Sequence, residues 1–269
     1  MKKRYYFCLL ILAVILWGFV ENTLLFVTHI TVTDEDLPAG FQGFRIAQVS
    51  DLHNTRFGKD NHRLLAKLKE TQPDLIAITG DLVDSRRTDF DTALTFVREA
   101  AKIAPCYYVT GNHEARLPEY PRLEQQLQEA GATVLRDQTK VLERNGDSII
   151  LAGVQDPSFT GYTAFSEALA RLASDSFTVL LSHRPDFFDL YCRQGFDLVL
   201  SGHTHGGQFR IPFLGGLIAP GQGFFPEHDA GLFTEGETNL VISRGLGNSL
   251  FPFRLLNPPE IVLLTLQTK

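Results

Sequence analysis

The sequence predicts an α/β fold behind a single N-terminal apolar helix. Two patterns point to it. From Phe44 onward, short apolar runs of strand length alternate with stretches whose apolar residues recur every three or four positions. Ahead of them, Lys2, Lys3 and Arg4 open an unbroken apolar run from Tyr5 to Val20. Composition agrees: 44% of the 269 residues are hydrophobic and 21% charged, which excludes disorder, collagen-like repeats and coiled coil. The formal net charge is −6 and no basic run exceeds Lys2–Arg4, so a nucleic-acid polymer has no electrostatic support as a partner. Cys8, Cys106 and Cys192 stand far apart and make neither a disulfide framework nor a thiolate metal site.

The leading run reaches roughly 24 Å as a helix at about 1.5 Å per residue, a little short of a hydrocarbon core of about 30 Å. Snorkelling flanks and local thinning absorb such a mismatch. Trp17 lies near the far end, where an interfacial ring is favoured, and Glu21 ends the run. A basic start followed by an apolar stretch is an export signal or a signal anchor. No A-x-A-like processing site stands near Gly18, so residues 1–22 read as a retained single-pass membrane anchor. A cleaved signal and a buried core helix are the alternatives. The positive-inside tendency keeps Lys2–Arg4 cytoplasmic and places the remainder on the exported face. Residues 23–269 read as one catalytic domain, expected to stay active when residues 1–22 are removed.

Within that domain Leu24 to Val32 reads as a strand, and Pro38-Ala39-Gly40 as loop. Phe44 to Val49 is a strand, Leu64, Leu65 and Leu68 have helical spacing, and Leu75 to Thr79 is a buried strand. Phe90, Leu94, Val97 and Ala101 mark a helix, Tyr107 to Thr110 a strand, and Leu123, Leu127 and Ala130 a helix stopped by Gly131. Lys140 to Arg144 and Ser148 to Val154 flank Asn145-Gly146, a hairpin signal. A helix over Phe165 to Ala173 precedes strands at Phe177 to Leu181 and Leu198 to Leu200. The last seventy or so residues are rich in Gly, Pro and Phe, with strands near Leu240 to Ser243 and Ile261 to Leu266.

Five of these strands end in polar residues: Asp51-Leu52-His53, Gly80-Asp81, Gly111-Asn112-His113-Glu114, His183, and Gly202-His203-Thr204-His205. In α/β sheets, ligands gather beyond the carboxyl ends of strands, so residues scattered in sequence converge there. Each cluster alone has an ordinary explanation. Asp51 or His53 suits a cap or the surface, Gly80-Asp81 a turn, Asn112 a helix cap, His183 a loop. The two histidines set among Gly202, Gly206 and Gly207 are more specific, because glycines let the backbone wrap an ion. Asp51, His53, Asp81, Asn112, His183, His203 and His205 offer nitrogen and oxygen without sulfur, a set suited to manganese, iron or zinc. These side chains outnumber the needs of one site of about four ligands, whereas two metals sharing a carboxylate use them all.

This ordered set resembles the calcineurin-like metallophosphoesterase superfamily, whose blocks run D-x-H, G-D-x-x-D, G-N-H-E, H and G-H-x-H. The chain carries Asp51-Leu52-His53, Gly80-Asp81-Leu82-Val83-Asp84, Gly111-Asn112-His113-Glu114, His183 and Gly202-His203-Thr204-His205. Gly206-Gly207-Gln208, Arg244-Gly245-Leu246-Gly247 and Pro258-Pro259-Glu260 resemble the N-terminally anchored bacterial phosphodiesterase branch, which includes UDP-diacylglucosamine pyrophosphatase-like members. The resemblance implies a two-sheet αββα sandwich and two divalent ions, among Mn, Zn, Fe and Mg. One ion is implied on Asp51, His53, Asp81 and His205, the other on Asp81, Asn112, His183 and His203. A hydroxide bridging the pair attacks phosphorus, and His113 is implied as the histidine that contacts phosphate or protonates the leaving group. Asp84 and Glu114 are expected as supporting partners.

The implied substrate is a phosphodiester or pyrophosphate, membrane-associated, lipid-linked or nucleotide-linked. A phosphomonoesterase and a non-catalytic scaffold of the same fold are the competing readings. A protein phosphatase fits less well, because Ser85 follows Asp84 where those members carry Arg-Gly. Phe209, Phe213, Phe224 and Phe225 are expected either to wall an apolar pocket beside the metals or to form the core of a C-terminal hairpin layer.

Overall fold

The computed structural model describes residues 2–249 and 251–269. Helix α1 (Lys2–Glu21) leads into strand β1 (Phe26–Asp34), then β2 (Arg45–Val49), α2 (His62–Glu70), β3 (Leu75–Thr79), α3 (Phe90–Ala100), β4 (Cys106–Val109), α4 (Tyr120–Glu129) and β5 (Ala132–Val134). The hairpin β6 (Gln138–Arg144) and β7 (Asp147–Gly153) precedes α5 (Pro157–Thr160), α6 (Tyr162–Leu172), β8 (Thr178–Leu181), α7 (Phe188–Gln194) and β9 (Leu198–Ser201). Two short hairpins follow, β10 (Arg210–Ile211) with β11 (Gly215–Gly216) and β12 (Ile218–Ala219) with β13 (Gly223–Phe224). Strands β14 (Gly231–Glu235), β15 (Thr238–Ile242) and β16 (Glu260–Thr268) complete the chain.

The strands form two six-stranded sheets, ordered β1-β16-β2-β3-β4-β5 and β14-β15-β9-β8-β7-β6. In the first, β2, β3, β4 and β5 run parallel and β16 lies antiparallel to β2. In the second, β15, β9, β8 and β7 run parallel between antiparallel edges.

Side-chain alternation explains the layering. Along β3, Ile76 and Ile78 face Leu64, Leu68, Val97 and Leu123 of the helices outside, while Leu75 and Ala77 face the second sheet. The residues between the sheets include Ile46, Leu151, Val179, Leu200, Val241 and Val262. Helices α6 and α7 cover the other outer face through Phe165, Leu169 and Tyr191. The result is the expected αββα sandwich, each parallel strand apolar on both faces because both are covered. The turn at Asn145 (φ 53°) and Gly146 (φ 87°) has the two left-handed residues that a two-residue hairpin loop requires.

Some elements escape the sequence pattern. Strand β5 is three residues long, too short to register a period. Helix α7 has seven residues and is set by packing and by Gly195 at its end. The Gly206–Phe225 segment forms hairpins but not a core: Phe213, Phe224 and Phe225 are 107%, 71% and 59% exposed. Helix α1 departs from a core helix in the same way. It is apolar around its circumference, yet only 11% of its most apolar window is buried.

Candidate metal centre

The strand-end clusters meet in one place. Beyond β2 and β9, Asp51, His53 and His205 bring one ligand atom each within 4.8 Å of one another, and beyond β3, β8 and β9 Asp81, His183 and His203 do the same. Asp81 links the groups: its Oδ2 lies 3.3 Å from His183 Nε2 and 3.5 Å from His53 Nε2. Asp51 Oδ1 is 3.6 Å from His205 Nε2 and 3.9 Å from His53 Nε2, and His183 Nε2 is 3.2 Å from His203 Nδ1. Asn112 and His113 lie on the loop after β4 and line the same cavity. All the sequence-predicted site residues are thus brought together.

Holding them there strains the backbone. Asp51 (φ 52°), His53 (φ 45°), Asp81 (φ 51°), His203 (φ 71°) and His205 (φ 50°) occupy the left-handed region, at roughly 1–2 kcal/mol each. Hydrogen bonds between the clusters hold the kinks. Asp51 N–H donates to Gly80 O at 3.0 Å, His53 N–H to Asp81 O at 3.0 Å, and His203 N–H to the Asp51 carboxylate at 3.1 Å. Fully buried Glu114 accepts from Asp81 N–H (2.9 Å), Gly111 N–H (2.8 Å) and Val83 N–H (3.2 Å), tying two strand ends into one rigid corner. Burial, then the nearby Asp81 charge, pushes the Glu114 carboxyl up to about 8 against those backbone donors.

Electrostatics suits a cation. Burial disfavours the charged form of His53 and of His203 and holds both well below the usual imidazole range. Burial acts the same way on His183, but Asp81, with Asp51 and Asp156, outweighs it and raises that ring to about 10. His183 Nδ1 sits 2.8 Å from the Thr79 carbonyl, which orients Nε2 inward. Both ring nitrogens of His53, Nδ1 of His205 and Oδ1 of Asn112 are buried without a hydrogen-bond partner. Each such atom costs about 1–3 kcal/mol if left unpaired. A divalent ion beside Asp81 would take up one nitrogen of His53 and Oδ1 of Asn112, so the residues fit a metal.

His113 is different in kind. Its Nδ1 accepts the Ser85 N–H at 3.1 Å, and a backbone amide can only donate, so the hydrogen resides on Nε2. That atom is 3.2 Å from Ser249 Oγ. Burial, opposed by Asp81 and Asp84, lowers its pKa. Asp84 Oδ1 lies 3.5 Å from His113 Nδ1 and accepts from the Arg86 N–H at 2.9 Å and Arg86 Nε at 3.3 Å.

Sequence reasoning missed five residues of this cavity, which has a volume of about 400 Å³: Arg86, Arg116, Arg184, Pro220 and Ser249. Arg184 spans Asp156 (2.8 Å), Ser158 (3.0 Å) and His203 Nε2 (2.9 Å). Its position directly after His183 was the available signal; Ser249 had none. A smaller hollow of about 90 Å³ adjoins, lined by Thr204, Gln208, Ile218 and Phe251 and sharing His205, Pro220 and Ser249 with the first. Its walls are not the rings expected from the sequence. Phe209 is stacked away on Phe251 and Phe253, and the other three rings are exposed.

Comparison with known proteins agrees with this geometry. Residues 44–207 match the family described as calcineurin-like phosphoesterase. A Bacillus subtilis protein named uncharacterized metallophosphoesterase YkuE is 31% identical over 93% of this chain and 88% of its own. The Escherichia coli phosphodiesterase YaeI is 33% identical over 83% of this chain and 82% of its own. A Bos taurus transmembrane protein with metallophosphoesterase domain is 31% identical over 90% of this chain and 57% of its own. Among solved structures, the Thermus thermophilus protein TT1561 superposes with a TM-score of 0.53 at 15% identity, over 76% of this chain and 91% of that one, a likeness of fold alone.

Proposed function

The chain belongs to the calcineurin-like phosphoesterase family and is a phosphoester hydrolase, and from that premise we propose that it is a dinuclear phosphodiesterase or pyrophosphatase acting on a membrane-associated or nucleotide-linked phosphoester. The observation that carries the reading is the pair of three-residue groups, Asp51–His53–His205 and Asp81–His183–His203, joined by the 3.5 Å approach of Asp81 to His53. Asp51, His53, Asp81 and His205 would hold one divalent ion; Asp81, Asn112, His183 and His203 would hold the other. Two such ions supply an acidified water as nucleophile and positive charge against the phosphoryl oxygens. Manganese, zinc, iron and magnesium all remain within this reading.

The remaining work falls to side chains. His113 presents Nε2–H to the cavity as a neutral donor, so it holds a phosphoryl or leaving oxygen by a hydrogen bond rather than by giving up a proton. Arg116, which has no ion-pair partner among the described residues, together with Arg86 and Arg184 places guanidinium groups around the cavity that suit an anionic ester. The apolar hollow at Ile218 and Phe251 favours a substrate with a second, apolar substituent, hence a diester over a monoester.

Localisation follows from helix α1. Its apolar run from Tyr5 to Val20 spans about 24 Å, which snorkelling flanks can extend across a hydrocarbon core, and its side chains up to Trp17 are mostly exposed. In this reading residues 1–22 are a single-pass anchor, residues 23–269 form the metallophosphoesterase domain on the exported face, and substrate is met at the bilayer.

The test is a substrate panel with full-length protein in detergent and Mn²⁺, Mg²⁺ or Zn²⁺. Hydrolysis of bis(p-nitrophenyl) phosphate that exceeds hydrolysis of p-nitrophenyl phosphate and depends on the ion is expected. Preference for the monoester would favour the phosphomonoesterase reading, and no turnover with any ion the scaffold reading.

A further inference from the structure

Glu21, the last residue of the apolar helix, is 3% exposed although a carboxylate at the end of an anchor is free to face water. Its Oε2 accepts the Leu256 N–H at 2.9 Å, and its Oε1 accepts the Asn257 N–H. Leu256 (φ 53°) is a bulky residue held in the left-handed region while its side chain is 51% exposed, so the carboxylate rather than packing fixes this turn. Asn257 is fully buried, and its side-chain amide donates to His205 O at 2.7 Å and to Gln208 O at 3.1 Å. Those carbonyls bracket four consecutive left-handed residues, His205 (φ 50°), Gly206 (φ 61°), Gly207 (φ 74°) and Gln208 (φ 58°). The run's own bonds, Gly207 N–H to Thr204 O at 2.9 Å and Gln208 N–H to His205 O at 3.0 Å, are reinforced by those of Asn257 against the preference of each non-glycine member for another region.

The helix is seated by more than this one residue. Asn22 Nδ2 donates to Pro252 O at 2.8 Å, and Phe19 stacks on Phe253 at 5.6 Å. At Gly18 a Cβ would come within 2.6 Å of the Phe253 ring and 2.7 Å of the Arg254 carbonyl. The one small residue near the end of the apolar run is thus a packing glycine rather than part of a processing site.

We propose that Glu21 and Asn257 are positioning residues for His205, so that the apolar helix is a structural part of the metal centre and not a detachable leader. The chain of contacts is short: Glu21 fixes the backbone of Asn257, and Asn257 fixes the carbonyl of His205. Cleavage near residue 22 removes its first link, which reverses the expectation of an active protein lacking residues 1–22. The proposal rests on the reading of His205 as a ligand.

The experiment compares full-length wild type, Glu21→Gln and Asn257→Ser in detergent micelles. Free Mn²⁺ is followed by electron paramagnetic resonance during titration, and amide hydrogen exchange is read over residues 204–208. The glutamine keeps the size of Glu21 but offers only one acceptor oxygen to two amides. Asn257→Ser leaves Glu21 and its bonds in place, and carries the comparison should Glu21→Gln not fold. One of the two Mn²⁺ ions is expected to bind about tenfold more weakly in each variant while the other stays within about twofold, as is usual when a residue behind a ligand is lost. Exchange over residues 204–208 is expected to quicken. A merely structural role would weaken both ions equally, and that result, or affinities unchanged in both variants, overturns the proposal. Wild-type protein that takes up no Mn²⁺ overturns the ligand reading beneath it instead.

Discussion

Gly111→Ala tests whether the strand-end clusters work by interlocking. The residue has an ordinary φ, so only space is at issue. A Cβ there would lie 2.2 Å from Asp81 Oδ1, 2.7 Å from Asp81 N and 2.8 Å from Asp81 Cγ. Asp81 cannot swing aside, since its Oδ1 accepts the His113 N–H at 2.8 Å and its own N–H donates to Glu114 at 2.9 Å. Restoring normal contact therefore needs a shift of about 1 Å in the carboxylate that both metal groups share. Overpacking of this kind costs about 1–3 kcal/mol of stability. A displacement of about 1 Å at a reacting centre costs on the order of 10²-fold in rate. Hydrolysis of bis(p-nitrophenyl) phosphate at saturating Mn²⁺, with a circular-dichroism melt on the same sample, measures both. Gly146→Ala is the control: it strains a turn at φ 87° with nothing within 4 Å, far from the site. It should lower stability by roughly 1 kcal/mol and leave kcat unchanged. Turnover by Gly111→Ala within about threefold of wild type would refute the interlocking argument, because it would mean that Asp81 can move without consequence.

Other expectations follow from the same site and from one place outside it. Asp81→Asn should lower turnover by at least roughly 10³-fold and reduce bound metal with the fold retained, measured by elemental analysis and circular dichroism; normal metal content would contradict the sharing of this carboxylate. His113→Ala removes a neutral donor and should cost about 10²-fold in kcat with bound metal unchanged, whereas loss of metal would recast the residue as a ligand. Treatment with a chelator should abolish hydrolysis, and a divalent ion should restore it; hydrolysis that survives metal-free dialysis would exclude the dinuclear reading. Asp197, raised to about 6 by burial and by Asp34 and Asp36, favours its neutral form in the fold. Its contribution is therefore fully present below the usual carboxylate range and is lost as pH rises through about 6. Asp197→Asn keeps an acceptor for the Thr178 N–H and removes that loss. After allowance for solvent screening it should be worth about 1 kcal/mol, or about 2–4 °C in Tm, at pH 7.5 and nothing near pH 4. An equal Tm difference at both pH values would exclude the titration.

What could be read from the sequence divides along a physical line. Strand β3 and helix α3 were legible because burial on both faces or on one stripe writes a period into adjacent residues. The metal centre was legible for a less obvious reason. Gly80, Gly111 and Gly202 each leave room for a group from another cluster: His183 at 2.8 Å, Asp81 at 2.2 Å and Asp51 at 2.3 Å from where a Cβ would stand. A glycine beside a polar strand-end residue thus records a tertiary contact in a local motif, and the ordered motifs together record the candidate site. Arg116 and Ser249 leave no such trace. Serine needs no special backbone to approach His113 across 136 residues of chain, and an exposed arginine looks like any other surface charge. The aromatic residues after Gly207 misled because aromatic content alone does not separate a core ring from an exposed one. Phe213, at 107% exposure, sits on a hairpin two residues long per strand, too short to bury it. Glu21 is the sharpest case. A carboxylate closing an apolar run is already explained by the end of a membrane span, so its bonds to residues 235 and 236 positions away had no claim on the reading. A local pattern reveals a distant contact only where no nearer cause accounts for the same residue.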